Sequence, residues 1–253
     1  MEIKGKVAVI TGAASGIGRA AALRFKKEGA AGLVLGDLGF KKIESTPEGI
    51  AVPCDVSKES DIRNLVREAE TRYGRVDVYF SNAGIFQAGG IDAPDADWER
   101  NWKIHVMAHV YAARAVVDGM VARGGGYFLV TASAAGLLNI VESATYGVTK
   151  HGAVAFAEWL SIAYGRKGVK VSCLCPQAVM TNMFTGGGGS AGVDGVLTVE
   201  QAMDEVVKTM REEKFLVLPH PKVLDYMRMK TADYDRWLGG MQKLFLKHAD
   251  RSE

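Results

Sequence analysis

Residues 7–18 read Val-Ala-Val-Ile-Thr-Gly-Ala-Ala-Ser-Gly-Ile-Gly, an apolar run that breaks into glycines at 12, 16 and 18. The unbroken stretch Val7–Ile10 suits a strand buried on both faces, because parallel strands lose the polar alternation of half-exposed ones. Helical spacing begins at Ser15 and continues to Lys27. Glycines at the junction let the backbone turn sharply and let an anion come close. The helix start adds unpaired N–H groups and the positive end of its dipole. A glycine trio alone also fits a plain structural turn. Strand, turn and helix in this order favour a pyrophosphate cradle made by Gly12, Ser15, Gly16, Ile17 and Gly18.

The alternation repeats along the chain. Further apolar runs at Gly32–Leu35, Ile50–Val52, Val76–Phe80, Tyr127–Val130, Val169–Leu174 and Phe215–Leu218 read as strands. Helix-period segments over Ser15–Lys27, Glu59–Tyr73, Ala96–Arg123, Ala144–Tyr164 and Val199–Glu212 separate most of them. This predicts an α/β fold, a Rossmann-like doubly wound sheet of about seven parallel strands with helices on both faces. A single domain is expected over 1–253, with extra C-terminal helices at 222–248. Within these, Trp237, Leu238, Met241, Leu244 and Phe245 form a stripe read as core or subunit interface. The glycine-rich stretch Thr185–Gly195, inside a loop over 182–198, is either a surface loop or a substrate lid. Its place after the sixth strand, where open α/β sheets hold ligands, favours the lid.

Composition narrows the class. Hydrophobic residues make up 48% and charged residues 24%, as in an ordinary globular protein. With 31 basic against 29 acidic residues the net charge is +2, which argues against nucleic acid or an acidic membrane as the main partner. Cys54, Cys173 and Cys175 show no framework spacing and read as free thiols in a reducing compartment. Cys173 and Cys175 are expected on opposite faces of their strand. The five histidines form no zinc-type cluster, so no metal is expected. The short apolar run near the N-terminus suits neither a signal peptide nor a spanning helix, and a cytoplasmic protein is expected.

Asp37 lies nineteen residues beyond Gly18, at the end of the second strand. A carboxylate there accepts both hydroxyls of an adenosine ribose and repels a 2′-phosphate, which points to NAD rather than NADP. Tyr146 and Lys150, four apart, share one helix face. A phenol with an ordinary pKa of about 10 is a poor base at neutral pH. An ammonium one turn away, beside a positively charged nicotinamide, lowers that value. Ser133 closes the fifth strand and can hold a substrate oxygen. Without the other motifs, a Tyr and Lys at this spacing read as an ordinary helix-surface pair.

Residues 11–18, Asp37, Cys54-Asp55-Val56, Ser81-Asn82-Ala83-Gly84, Ser133, and Tyr146 with Lys150 together resemble the short-chain dehydrogenase/reductase family, over roughly Lys4 to Thr181. The resemblance implies that Asp55 and Val56 flank an adenine, with Leu38 beside Asp37 on the same side. Asn82, Ala83 and Gly84 would line the ribose side. Tyr146 would be the acid/base, Lys150 would hold the nicotinamide ribose and tune Tyr146, and Ser133 would orient the substrate. Pro176, Val179 and Thr181 would close over the nicotinamide end.

Four departures accompany the resemblance. His105, twenty-eight residues before Ser133, stands where the family usually has Asn. It either retains a proton relay, the reading adopted here, or marks a lowered or lost rate. Gln177 replaces the usual glycine after Pro176. Only seventeen residues separate Asp37 from Asp55, so the third helix is expected to shrink to a turn around Lys41–Pro47. The usual C-terminal segment is absent, which favours a homodimer, formed through the helices over 96–123 and 144–164, above a homotetramer.

Phe86, Leu137, Leu138, Ile140, Met180, Met183 and Phe184 would line the substrate side, with Gln177 near the cofactor. Each also suits an ordinary core position. Together they favour a small hydrophobic secondary alcohol or its ketone, such as a terpenoid, steroid-like or aromatic carbinol. The expected function is NAD-dependent oxidation of that alcohol. Two alternatives stand beside it: an NAD(H)-binding sensing protein with little catalysis, and a ketone reductase running the opposite way.

Overall fold

The computed structural model describes residues 1–43, 49–184 and 189–249. Seven strands form among them: β1 (Val7–Thr11), β2 (Gly32–Asp37), β3 (Gly49–Pro53), β4 (Val78–Ser81), β5 (Gly126–Thr131), β6 (Val169–Leu174) and β7 (Leu216–Val217). All pair in parallel, in the order β3-β2-β1-β4-β5-β6-β7. The order reverses between β1 and β4, and there the connecting segments part to leave a crevice beyond the carboxyl ends of the strands.

Strand side chains alternate between two helix layers. On one face Val9, Val34, Tyr79 and Phe128 meet α2 (Glu59–Tyr73), α4 (Ala108–Ala122) and α6 (Ala144–Tyr164). On the other, Ala8, Ile10, Leu33 and Leu129 meet α1 (Gly16–Lys27) and α7 (Val199–Glu212). The remaining helices are α3 (Asp95–Trp102), a four-residue α5 (Ala135–Leu138), α8 (Lys222–Ala232) and α9 (Tyr234–Ala249). The C-terminal extension therefore forms two helices, broken at Asp233.

Two expectations change. The long helix over Ala96–Arg123 is interrupted by a π-helical segment, Lys103–Met107, with buried His105 at its centre. Such wide turns concentrate at functional sites. Cys173 and Cys175 share a face, with their sulfurs 3.7 Å apart, because alternation runs between neighbours and residues two apart lie on the same side. Both thiols, like that of Cys54, are free and buried. After β2 the chain makes a 3₁₀ turn at Phe40–Lys42. The rest of the turn expected around Lys41–Pro47 lies largely outside the described residues, as does residue span 185–188 of the glycine-rich loop.

Close approach of α1 to β1 depends on Gly18. A Cβ there would stand 2.2 Å from the Gly12 carbonyl oxygen and 2.7 Å from Asn82 Nδ2. Gly18→Ala is expected to cost about 1–3 kcal/mol by overpacking, read as a lower urea midpoint with an unchanged denaturant slope.

Candidate active site

A cavity of about 600 Å³ occupies the crevice. Every residue expected on the cofactor side lines it except Gly18, which packs beneath. Gly12 and Gly16 lie in the left-handed region, at φ 68° and 52°, where a side chain is strained. Ser15 is the N-cap of α1 but its side chain makes no capping hydrogen bond. The first N–H groups of α1 are thus left for an anion at the positive end of the helix. Asp37 reaches the cavity with its oxygens already accepting from Ala14 N (3.0 Å) and Gly39 N (2.7 Å), which fixes the carboxylate in place. Each oxygen keeps a lone pair for a ribose hydroxyl. The glycine cradle, uncapped helix and oriented carboxylate fit a dinucleotide.

The expected ribose-side residues are fixed by Thr11. Its hydroxyl accepts from Asn82 N (2.9 Å) and Ala83 N (3.2 Å), and its carbonyl accepts from Asn82 Nδ2 (3.0 Å). Asn82 Oδ1 takes the Thr131 hydroxyl at 3.0 Å. Asn82 therefore shapes the cavity floor and spends its amide inside the fold. Asp55 likewise turns to Ser57 N and Oγ, at 3.0 and 2.7 Å. Burial works to raise its pKa, but these bonds and Lys58 outweigh burial and hold it low.

Helix α6 presents Tyr146 and Lys150. Ser143 caps it, accepting from Tyr146 N at 3.1 Å, so Tyr146 sits in the first turn, where the helix dipole favours a phenolate. Lys150, one turn on, places Nζ 5.5 Å from the Tyr146 ring centre and donates to the Thr131 carbonyl at 2.9 Å. Ser133 Oγ accepts from Ala135 N at 3.1 Å and donates to the Pro176 carbonyl at 3.4 Å, beside the Tyr146 hydroxyl. Burial raises the Tyr146 phenol above its ordinary value, and the Ser133 hydroxyl pulls it partly back. Burial lowers the Lys150 ammonium to about 8.

His105 joins this cluster without lining the cavity. Its Nε2 accepts from Ile85 N at 3.1 Å, so the neutral ring carries its proton on Nδ1, which meets Thr149 Oγ1 at 2.9 Å. Thr149 in turn donates to the Thr145 carbonyl at 2.8 Å. The ring stands edge-on to Tyr146, centres 5.4 Å apart. Burial first, then Lys150 and His109, hold His105 well below its ordinary range. This disfavours the protonated ring, and the geometry suits a group that positions Tyr146 and the turn at Ile85.

On the substrate side Phe86, Ile140, Met183 and Phe184 line this cavity, and Leu138 lines an adjoining one. Leu137 instead packs into the core beside Val223, and Met180 is half exposed away from both cavities. Gln177 lines both cavities. Its Nε2 donates to Asp194 at 3.0 Å, and its backbone N–H donates to buried His220 Nδ1 at 3.2 Å. Asp194 also takes the Tyr226 hydroxyl at 3.1 Å and pairs with Lys222 at 3.2 Å. Sequence reading missed this latch, whose members lie 17 to 49 positions beyond Gln177 with no local pattern.

The family model described as short chain dehydrogenase matches residues 6–187. The chain belongs to the short-chain dehydrogenase family. It is therefore a short-chain oxidoreductase. It is 35% identical over 212 residues to (21S)-21-acetoxyl-apo-melianone synthase SDR of Melia azedarach, covering 81% of this chain and 76% of the relative. Human epidermal retinol dehydrogenase 2 is 29% identical, covering 89% of this chain and 77% of the relative. Among solved structures, a short chain dehydrogenase/reductase from Burkholderia phymatum in complex with NAD superposes with a TM-score of 0.83 at 27% identity, over 93% of this chain and 96% of that one.

Lys150 makes a pH-dependent contribution to stability. Between pH about 8 and 10.5 the unfolded chain holds a proton on Lys150 that the folded chain has released. Stability from this group therefore rises with pH through that window. Thermal melts of Lys150→Met are expected to lack that rise, compared with the unmutated protein from pH 7 to 10.

Proposed function

We propose that the protein is an NAD-dependent dehydrogenase that oxidises a hydrophobic secondary alcohol to a ketone. The observation that carries this reading is that Tyr146, Ser133 and Lys150 line one cavity with the Asp37-edged cradle, with the Lys150 ammonium 5.5 Å from the Tyr146 ring centre. NAD, when bound, supplies a nicotinamide that accepts a hydride from the carbinol carbon. Ser133 and Tyr146 would hold the substrate hydroxyl between them, and the Tyr146 oxygen would take its proton as the carbonyl forms. The start of α6, and Lys150 while it keeps its proton, favour the phenolate that this step needs. The apolar lining of Phe86, Met183 and Phe184 suits a hydrophobic body. A relative named retinol dehydrogenase and a solved relative in complex with NAD agree with the choice of an alcohol and of NAD.

In this reading His105 positions Tyr146 and the Gly84–Ile85 turn. Two copies of the chain meet through α4 and α6, where exposed Val148, Trp159 and Ile162 form an apolar stripe, and sedimentation velocity should read a dimer's mass.

Nicotinamide absorbance with cyclic, aromatic and steroidal secondary alcohols tests the activity. The expected outcome is turnover with NAD that falls by at least a hundredfold in Tyr146→Phe. Because the phenol is raised, the oxidation rate should climb with pH above neutrality. Asp37→Ser should erode the preference for NAD over NADP. Tight NADH binding without turnover on any alcohol, and no change with Tyr146→Phe, would move the reading to a sensing protein.

A further inference from the structure

A second cavity of about 620 Å³ adjoins the first, and the two share Ser133, Ile140, Gln177 and Ala191. They meet at the serine that would hold the substrate hydroxyl. One wall of the second chamber is a face of the first part of α9, Tyr234–Leu244, carrying Arg236, Trp237, Gly240, Met241 and Leu244, with Asp233 just ahead of it. Eleven residues of helix make that wall about 16 Å long. Leu138 and, on α8, Met229 help to complete the lining.

Several of the chamber's polar groups are engaged, while the buried Gln177 Oε1 has no partner among the described residues. Asp194 holds Gln177, Tyr226 and Lys222. Asn139 Oδ1 accepts from Ile140 N at 2.9 Å, and Asp233 Oδ1 accepts from Arg236 N at 3.0 Å. What the walls offer to a ligand is mainly aliphatic, thioether and indole surface, with the exposed Arg236 side chain as the cationic group among the lining residues. The Trp237 ring stands 6.2 Å from that of Tyr226, whose hydroxyl is bound to Asp194. The Asp194 latch therefore registers α8 and the indole of α9 against Gln177 and the reacting end. Helices α8 and α9 both lie beyond the residues matched by the family model, so this chamber belongs to the chain's own C-terminal part.

We propose that this chamber takes the body of the substrate, an elongated apolar carbinol with its hydroxyl at Ser133 and Tyr146 and its tail along the 237–241–244 face of α9. The inference rests on the dehydrogenase reading and adds the length and character of the substrate. Binding a tail there removes apolar surface from water on both sides, so affinity grows with tail length until the chamber is filled.

Two measurements test it, one without turnover. In the first, kcat/KM is read for 2-butanol, 2-hexanol, 2-octanol and 2-dodecanol. It should rise about fourfold per added methylene before levelling. Met241→Trp and Leu244→Trp, each placing an indole in the chamber, should cut the 2-dodecanol to 2-butanol ratio at least tenfold. In the second, 1-(9-anthryl)ethanol is titrated onto the protein and energy transfer from tryptophan is followed. Transfer should saturate, drop sharply in Trp237→Phe, and need higher concentrations of the alcohol in Met241→Trp. A length profile that both tryptophan variants leave unchanged, or transfer that Trp237→Phe leaves intact, overturns the chamber. Saturable transfer lost in Trp237→Phe, with no turnover of any alcohol, supports the chamber and overturns the dehydrogenase reading instead.

Discussion

The site depends on how the chain is held together at the point where the sheet changes direction. There Thr11, the last residue of β1, receives the backbone N–H groups of Asn82 and Ala83 on its hydroxyl and the Asn82 amide on its carbonyl. Two strands remote in sequence are thereby registered side by side with their carboxyl ends open. Gly18 lets α1 descend onto the same spot, since any side chain there would strike the Gly12 carbonyl. The cradle, the floor and the helix dipole thus share one small set of buried contacts.

Burial acts on the reactive cluster in opposite senses. It raises the Tyr146 phenol while lowering Lys150 and His105, because in each case the charged form loses water. Ser133, the start of α6 and the partners of each group modulate that common cost. His105 ends as a neutral ring fastened at both nitrogens, which fixes its orientation beside Tyr146.

Much of this was legible beforehand. Seven strands and the bounds of α2, α6 and α7 follow from apolar period and punctuation, signals that lie within a few neighbouring residues. The cradle, Asp37, Ser133, Tyr146 and Lys150 were readable because each motif is local and their order is distinctive. Spacing to a remote residue was less informative. His105 falls where a count from Ser133 puts it, yet its charge state follows from Ile85, Thr149 and Lys150 around it. Leu137 and Met180 look like pocket residues by position, but one turns into the core and the other toward solvent.

The stripe on α9 shows where local reading ends. The spacing of Trp237, Met241 and Leu244 determines that they share a helix face, and hydrophobicity alone suggested core or interface. Only the packing of α8 and α9 against the segment after Ser133 left that face lining a cavity, while Leu238 and Phe245 faced solvent. By itself the sequence determined the elements, the parallel sheet and the placing of Tyr146 and Lys150 one turn apart on α6, because period, turns and helical spacing are short-range properties. Tertiary structure decided the tautomer of His105, the bonds of Gln177 to Asp194 and His220, and the second chamber. Each of those depends on desolvation and distance between residues that only the folded chain brings together.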